Sequence, residues 1–123
     1  MDKAQALNEF WNGFGLPAYD ENTVPTGIGF PYITYEVATD SIGNSTALRA
    51  SLWYRSPSWA EIQRKSDEIA EYIVKMYPSA IKLNTGRLYI AKGRPFAQRM
   101  NDPEDKSIRR IVLNIEAEYL TAY

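Results

Sequence analysis

The sequence predicts an α+β domain: a mainly antiparallel sheet of about five strands with two helices packed on one face. Three observations lead there. Two segments, 2–14 and 59–76, carry apolar residues at helical spacing. Three others, 32–38, 47–56 and 106–120, alternate apolar and polar residues in strand fashion. Their order is helix, two strands, helix, then strands, which suits helices gathered on one face of an antiparallel sheet. At 123 residues the chain is expected to form one domain, 1–123, around a single core.

Each element has its own warrant. In 2–14, Leu7, Phe10, Trp11 and Phe14 form one stripe, and Gly13, Gly15 and Pro17 stop the helix. Segment 15–31 holds three prolines and three glycines and reads as a long connecting loop. In 32–38, Ile33, Tyr35 and Val37 oppose Tyr32, Thr34 and Glu36. A polar turn at 39–46 leads to 47–56, where Leu48, Ala50, Leu52 and Tyr54 oppose Arg49, Ser51, Trp53 and Arg55.

Ser58 and Glu61 have capping-box spacing, and Trp59, Ile62, Ser66, Ile69, Ile73 and Met76 then trace one helical face that ends before Pro78. Short strands are expected at 81–84 and 87–92, with a turn at 84–86 between them. Gly93 and Pro95 suggest that the pattern breaks there, leaving 94–106 irregular. The last strand, 106–120, sets Ile111, Leu113, Ile115, Ala117 and Tyr119 against Arg110, Asn114, Glu116 and Glu118.

Composition narrows the chemistry. Neither Cys nor His occurs, so a disulfide, a Ser-His-Asp triad, a Cys-His pair and any thiolate or imidazole zinc site are impossible. The formal net charge of −1 lacks the basic excess of a dedicated nucleic-acid binder. No apolar run approaches the ~20 residues that span a bilayer, and the charged start MDKAQALNEFW lacks a signal-peptide pattern. A cytoplasmic site of synthesis and no membrane partner are the expectations. Nine Tyr, four Phe and three Trp are more aromatic surface than one small core readily buries, which points to an interface. Strand preference for aromatics is the competing explanation.

Few constellations could carry catalysis. Phosphate-loop and dinucleotide fingerprints are absent; Gly13-Phe-Gly15 and Gly27-Ile-Gly29 lack the third glycine and the βαβ context. Asp102, Glu104 and Asp105 could hold a hard cation, but Pro103 and nearby Arg99, Lys106, Arg109 and Arg110 favour a solvated, ion-paired turn. Glu116 and Glu118 could imitate a catalytic carboxylate pair, though the polar side of an amphipathic strand explains them. Arg49, Trp53 and Arg55 share a strand face that suits a nucleic-acid platform or, with this net charge, a protein interface. The expectation is no enzyme, no catalytic residue, no cofactor and no metal.

Taken in order, the Pro-rich loop ending in Phe30-Pro31-Tyr32-Ile33-Thr34-Tyr35, the run Leu52-Trp53-Tyr54-Arg55-Ser56 before the Trp59 helix, and Gly86-Arg87-Leu88-Tyr89-Ile90 followed by Gly93-Arg94-Pro95-Phe96-Ala97-Gln98-Arg99-Met100 make a familiar layout. The whole chain resembles the tail-terminator or tail-completion proteins of long-tailed bacteriophages and prophages, often labelled minor tail or minor capsid proteins. The resemblance implies a virion tail protein, assembled in the host cytoplasm. Its subunits would form a homo-oligomeric, hexameric ring that caps the tail tube and offers the head-docking surface. Partners would be tail-tube and head–tail connector proteins, with no specific nucleic acid. A head-completion or neck protein is the alternative within that setting, and a nucleic-acid-binding module the alternative of another class. A closed ring needs two different patches per subunit. Candidate interface residues are Arg94, Phe96, Arg99 and Met100 in the irregular segment, with Trp53 and Arg55 on the strand face.

Overall fold

The computed structural model describes residues 2–37, 45–76, 80–84 and 86–121. Helix α1 spans Lys3–Asn12 and is capped by Asp2, whose carboxylate accepts from Gln5 N at 2.8 Å while Gln5 Oε1 accepts from Asp2 N at 3.0 Å. That reciprocal box was expected at Ser58 and Glu61 instead. Helix α2, Ala60–Met76, begins with a looser contact, Ala60 N donating to Ser58 Oγ at 3.3 Å. The predicted stripe of α2 is otherwise as expected, with Ile62, Ser66, Ile69 and Ile73 buried and Trp59 and Met76 packed partly against the core.

Among the described residues six strands form one sheet: β1 Ala18–Asp20, β2 Tyr32–Tyr35, β3 Ser45–Arg55, β4 Ile81–Leu83, β5 Gly86–Asn101 and β6 Ile108–Thr121. Their order is β1-β2-β3-β6-β5-β4. β1 pairs parallel to β2, and the remaining pairs are antiparallel. The sheet is therefore mixed and has one strand more than expected, because β1 lies in the segment read as loop. Of the expected turn at 39–46, residues 39–44 lie outside the described residues, and Ser45 and Thr46 already belong to β3. Ala38, Pro78 and the turn residue Thr85 also fall outside them.

One face of the sheet carries the apolar set of every alternating strand: Ile33 and Tyr35, Leu48 to Tyr54, Leu88 and Ile90, and Ile111 to Tyr119. The registers Ile33↔Leu52↔Ile111 and Leu88↔Tyr119 keep these residues together, as a one-residue slip would not. Both helices bury their stripes in this cluster. α2 lies along β5, β6 and β3, whereas α1 touches both β1 and β4, the two edges of the sheet. The sheet thus curls until its edges approach the same helix.

The segment expected to be irregular, 94–106, is the main correction. β5 runs on through Gly93 and Pro95 to Asn101 across a bulge: Lys92 pairs with Ile115 and Ala97 with Leu113, five steps on β5 against two on β6. Gly93 fits there because it is buried against the Asn114 backbone, and Asn114 Nδ2 donates to the Pro95 carbonyl at 2.9 Å. Three extra residues reverse the alternation, so even-numbered residues face the helices before the bulge and odd-numbered ones after it.

Candidate interface on the outer sheet face

The parity reversal separates the six residues singled out in the sequence. Trp53, Arg55 and Met100 lie on the outer side of the sheet, away from the helices. Arg99 comes to the helix side, where its guanidinium lies 5.0 Å from the Trp59 ring and donates to Gln63 Oε1 at 3.0 Å. Phe96 packs partly against the core and is not the exposed anchor expected of it. Arg94 is exposed within the bulge. Arg109 lies 5.2 Å from the same Trp59 ring and donates to the carbonyls of Ser56 and Pro57 at 3.2 and 3.0 Å. Arg99 thus serves the seating of α2 on the sheet.

What the fold assembles on the outer side is a row across four strands. Tyr32 of β2 stands opposite Trp53 of β3, Trp53 opposite Arg110 of β6, and Arg110 opposite Met100 of β5. The Tyr32 and Trp53 rings stack at 6.1 Å with 17° between planes, and the Arg110 guanidinium lies 4.6 Å from the Trp53 ring. Aromatic and cation–aromatic cross-strand pairs of this type stabilise a sheet surface and leave a broad, stiff patch. Polar groups fix the rotamers: Trp53 Nε1 donates to Thr34 Oγ1 at 2.9 Å, and Arg110 Nε to Ser51 Oγ at 3.1 Å. Tyr19 and Phe30 extend the row beside Tyr32, at 6.5 and 5.4 Å between centroids. Burial pushes the Tyr32 phenol above its ordinary pKa, so it stays a neutral donor.

Arg55 closes one end. It lies 4.9 Å from the Phe30 ring and donates to Asp105 Oδ2 at 2.9 Å and Ser107 Oγ at 2.8 Å. Hydrogen bonds from the Ser107 hydroxyl and backbone, and then from Arg55, hold the Asp105 carboxyl down at about 2. Asp102 accepts from the backbone of Glu104 and Asp105 at 2.8 and 3.1 Å. The acidic cluster considered for a cation therefore builds the turn between β5 and β6. Met100, 44% exposed, ends the row on the other side.

The remaining candidates separate just as clearly. Arg49 lies 3.5 Å from Glu36 and is spoken for. A base stacking on Trp53 would have to displace Tyr32 or Arg110, which reach the ring from the strands on either side. Glu116 and Glu118 border an open depression of about 250 Å³ with Ser45, Tyr89 and Leu120, and Glu116 accepts from Ser45 Oγ at 2.8 Å. Tyr32 and Arg110 were visible in the sequence as outward-facing strand residues. Only the strand order could show that they flank Trp53.

No family model matches the sequence, and no curated protein matches it. Among solved structures, the fold matches a chain of a structure described as the virion of a native gene transfer agent (GTA) particle. The TM-score is 0.62 at 19% identity, with 96% of this chain and 91% of that chain covered. The two chains share a fold.

Proposed function

We propose that this chain is a structural subunit of a phage-type particle, and within it the subunit that caps the tail tube as a homo-oligomeric ring and offers the head-docking surface. The observation that carries the reading is the nearly end-to-end fold match to a chain of a virion particle. The outer face supports it: a stiff aromatic row with Arg at its centre and charged groups at its rim has the anatomy of a protein interface. A ring needs two different patches on each subunit. This row is one, and the exposed Arg94 in the β5 bulge is available to the other. The reading places the protein in the virion tail, assembled in the host cytoplasm, beside tail-tube and head–tail connector proteins, and assigns it no catalytic residue, cofactor or metal.

A neck protein of the head–tail junction is the second reading, since the same fold match and the same patches would serve a ring there. The nucleic-acid module is disfavoured by the occupied faces of Trp53. Negative-stain microscopy of the purified protein tests the ring, and a phage carrying Trp53→Ala tests the patch. Rings in the wild type, with tails of abnormal length or detached from heads in the mutant, are expected. A failure of head joining with tails of normal length favours the neck. A strictly monomeric protein whose mutant phage is fully infectious would overturn both readings.

A further inference from the structure

Beyond its bulge, β5 pairs on one side only: Ala97–Asn101 run beside Leu113–Arg109 of β6, and β4 reaches no farther along β5 than Leu88. Among the described residues no main-chain group of Ala97–Asn101 bonds outside that ladder. Gln98, Arg99, Met100 and Asn101 are all exposed although they alternate between the two sides of the sheet, as suits a strand with no neighbour along its edge. α2 meets this stretch from the helix side, through Trp59 and Gln63. Gln63 stands in the first turn of α2, and Met76, where the chain leaves the described residues, is roughly 20 Å away along the helix. Ser45, Gly86 and Thr121, which border other undescribed residues, register with the start of β5, and Val37 follows β2, on the far side of β3 and β6.

A row of open N–H and C=O groups is a template for another strand, and edges are guarded against their own copies by bulges and charged side chains. Here the guards are the bulge at 93–96 and Arg99. The antiparallel register that pairs all of Ala97–Asn101 in two copies sets Arg99 opposite Arg99, and like charges directly opposite destabilise a ladder. The other sheet edges of a second copy, β1 and β4, are three residues each, and both lie against α1. A copy of this chain is therefore a poor occupant.

Charge selects a better one. Arg94 and Arg99 on β5, with Arg109 and Arg110 on the adjoining strand, form no ion pair among the described residues. The carboxylates nearby are engaged within the fold. Asp67 accepts from Gln63 Nε2 at 3.1 Å, Asp102 from the backbone of Glu104 and Asp105, and Asp105 from Arg55 and Ser107. On the outer side Met100, 44% exposed, ends the aromatic row at this same edge. We propose that the edge of β5 at Ala97–Asn101 receives an extended segment of a different protein, apolar toward Met100 and acidic toward Arg99. Main-chain bonds to the edge supply affinity, and the alternate side chains supply selectivity. This rests on the edge and its charge and stands whether or not the protein forms a ring.

The probe is the capped peptide Thr-Val-Glu-Val-Glu-Val-Thr, whose Val and Glu side chains fall on opposite sides of a strand. It is compared with a form carrying Lys for both Glu and with a form methylated at its internal main-chain nitrogens. Amide hydrogen exchange and amide resonances of the full chain read the site. At millimolar peptide the Glu form should slow exchange at 97–101 and shift those resonances, and the methylated form should do neither. The Lys form should bind roughly tenfold more weakly, as attraction to the guanidinium groups becomes repulsion. Arg99→Gln should shrink that preference to roughly threefold or less. Met100→Glu, at an exposed position, should weaken the Glu form while circular dichroism shows the fold intact. Should Arg99→Gln loosen α2, the three peptides on the unaltered chain still decide the matter. Equal binding of the Glu and Lys forms, binding of the methylated form, no binding at millimolar concentration, or protection elsewhere than 97–101 overturns the proposal. So does protection of 97–101 that grows with protein concentration in the absence of peptide, because a second copy would then hold the edge.

Discussion

Replacing Gly93 by Ala tests the bulge, the feature that sets the facing of everything after it in β5. A Cβ at this position would lie 2.9 Å from the Asn114 carbonyl oxygen and 3.0 Å from Asn114 C and Cβ. Carbon contacts are comfortable at about 3.5 Å or more, so an overlap of roughly half an ångström must be relieved. Asn114 cannot retreat easily, because β6 is paired with β3 on one side and β5 on the other. Overpacking of this kind costs about 1–3 kcal/mol. If the bulge shifts, the bond from Asn114 Nδ2 to the Pro95 carbonyl goes as well, adding about 1 kcal/mol. With a urea slope of about 1–3 kcal/mol per M, the midpoint should fall by roughly 1–2 M at unchanged slope. Gly29→Ala is the control, since nothing lies within 4 Å of its Cβ position; its effect should stay within about 0.5 kcal/mol. Equal midpoints for the two variants would refute the claim that a glycine is required at the bulge.

Two further outcomes follow from the core. Ile69→Ala, at a residue with no exposed surface, should cost about 2–5 kcal/mol in chemical denaturation; an unchanged midpoint would place that face of α2 outside. Tyr119 is fully buried with its hydroxyl unpaired, so Tyr119→Phe should leave stability unchanged or raise it by about 1 kcal/mol or more. The same burial pushes the Tyr119 phenol up to about 12 from 10.0. Because the folded value exceeds the unfolded one, this contribution is complete below pH 10 and lost as pH rises toward 12. Wild-type denaturation midpoints across that alkaline window should fall more steeply than those of Tyr119→Phe, and parallel curves would refute the assignment.

By itself the sequence determined the elements whose signals are periodic. The α2 stripe from Ile62 to Ile73, the alternation of Leu48 to Tyr54 and that of Ile111 to Tyr119 all became buried faces, because a core accepts only one side of a helix or strand. The helix start at Asp2 and Gln5 was equally local, with the same spacing that drew attention to Ser58 and Glu61. Tertiary structure decided what no local pattern encodes. β1 is three residues long and exists because β2 lies beside it and the Asn12 amide closes its other side. Gly93 and Pro95 break a pattern in the sequence, yet the strand continues, since pairing with β6 outweighs local preference and absorbs three extra residues in a bulge. That bulge turned Arg99 toward Trp59 and left Met100 outside, dividing a patch that had looked continuous. The row of Tyr32, Trp53, Arg110 and Met100 joins residues dispersed along the chain. Each faces outward by its own alternation, but only the order β2-β3-β6-β5 makes them neighbours, because adjacency in a sheet is set by strand pairing and not by distance along the sequence.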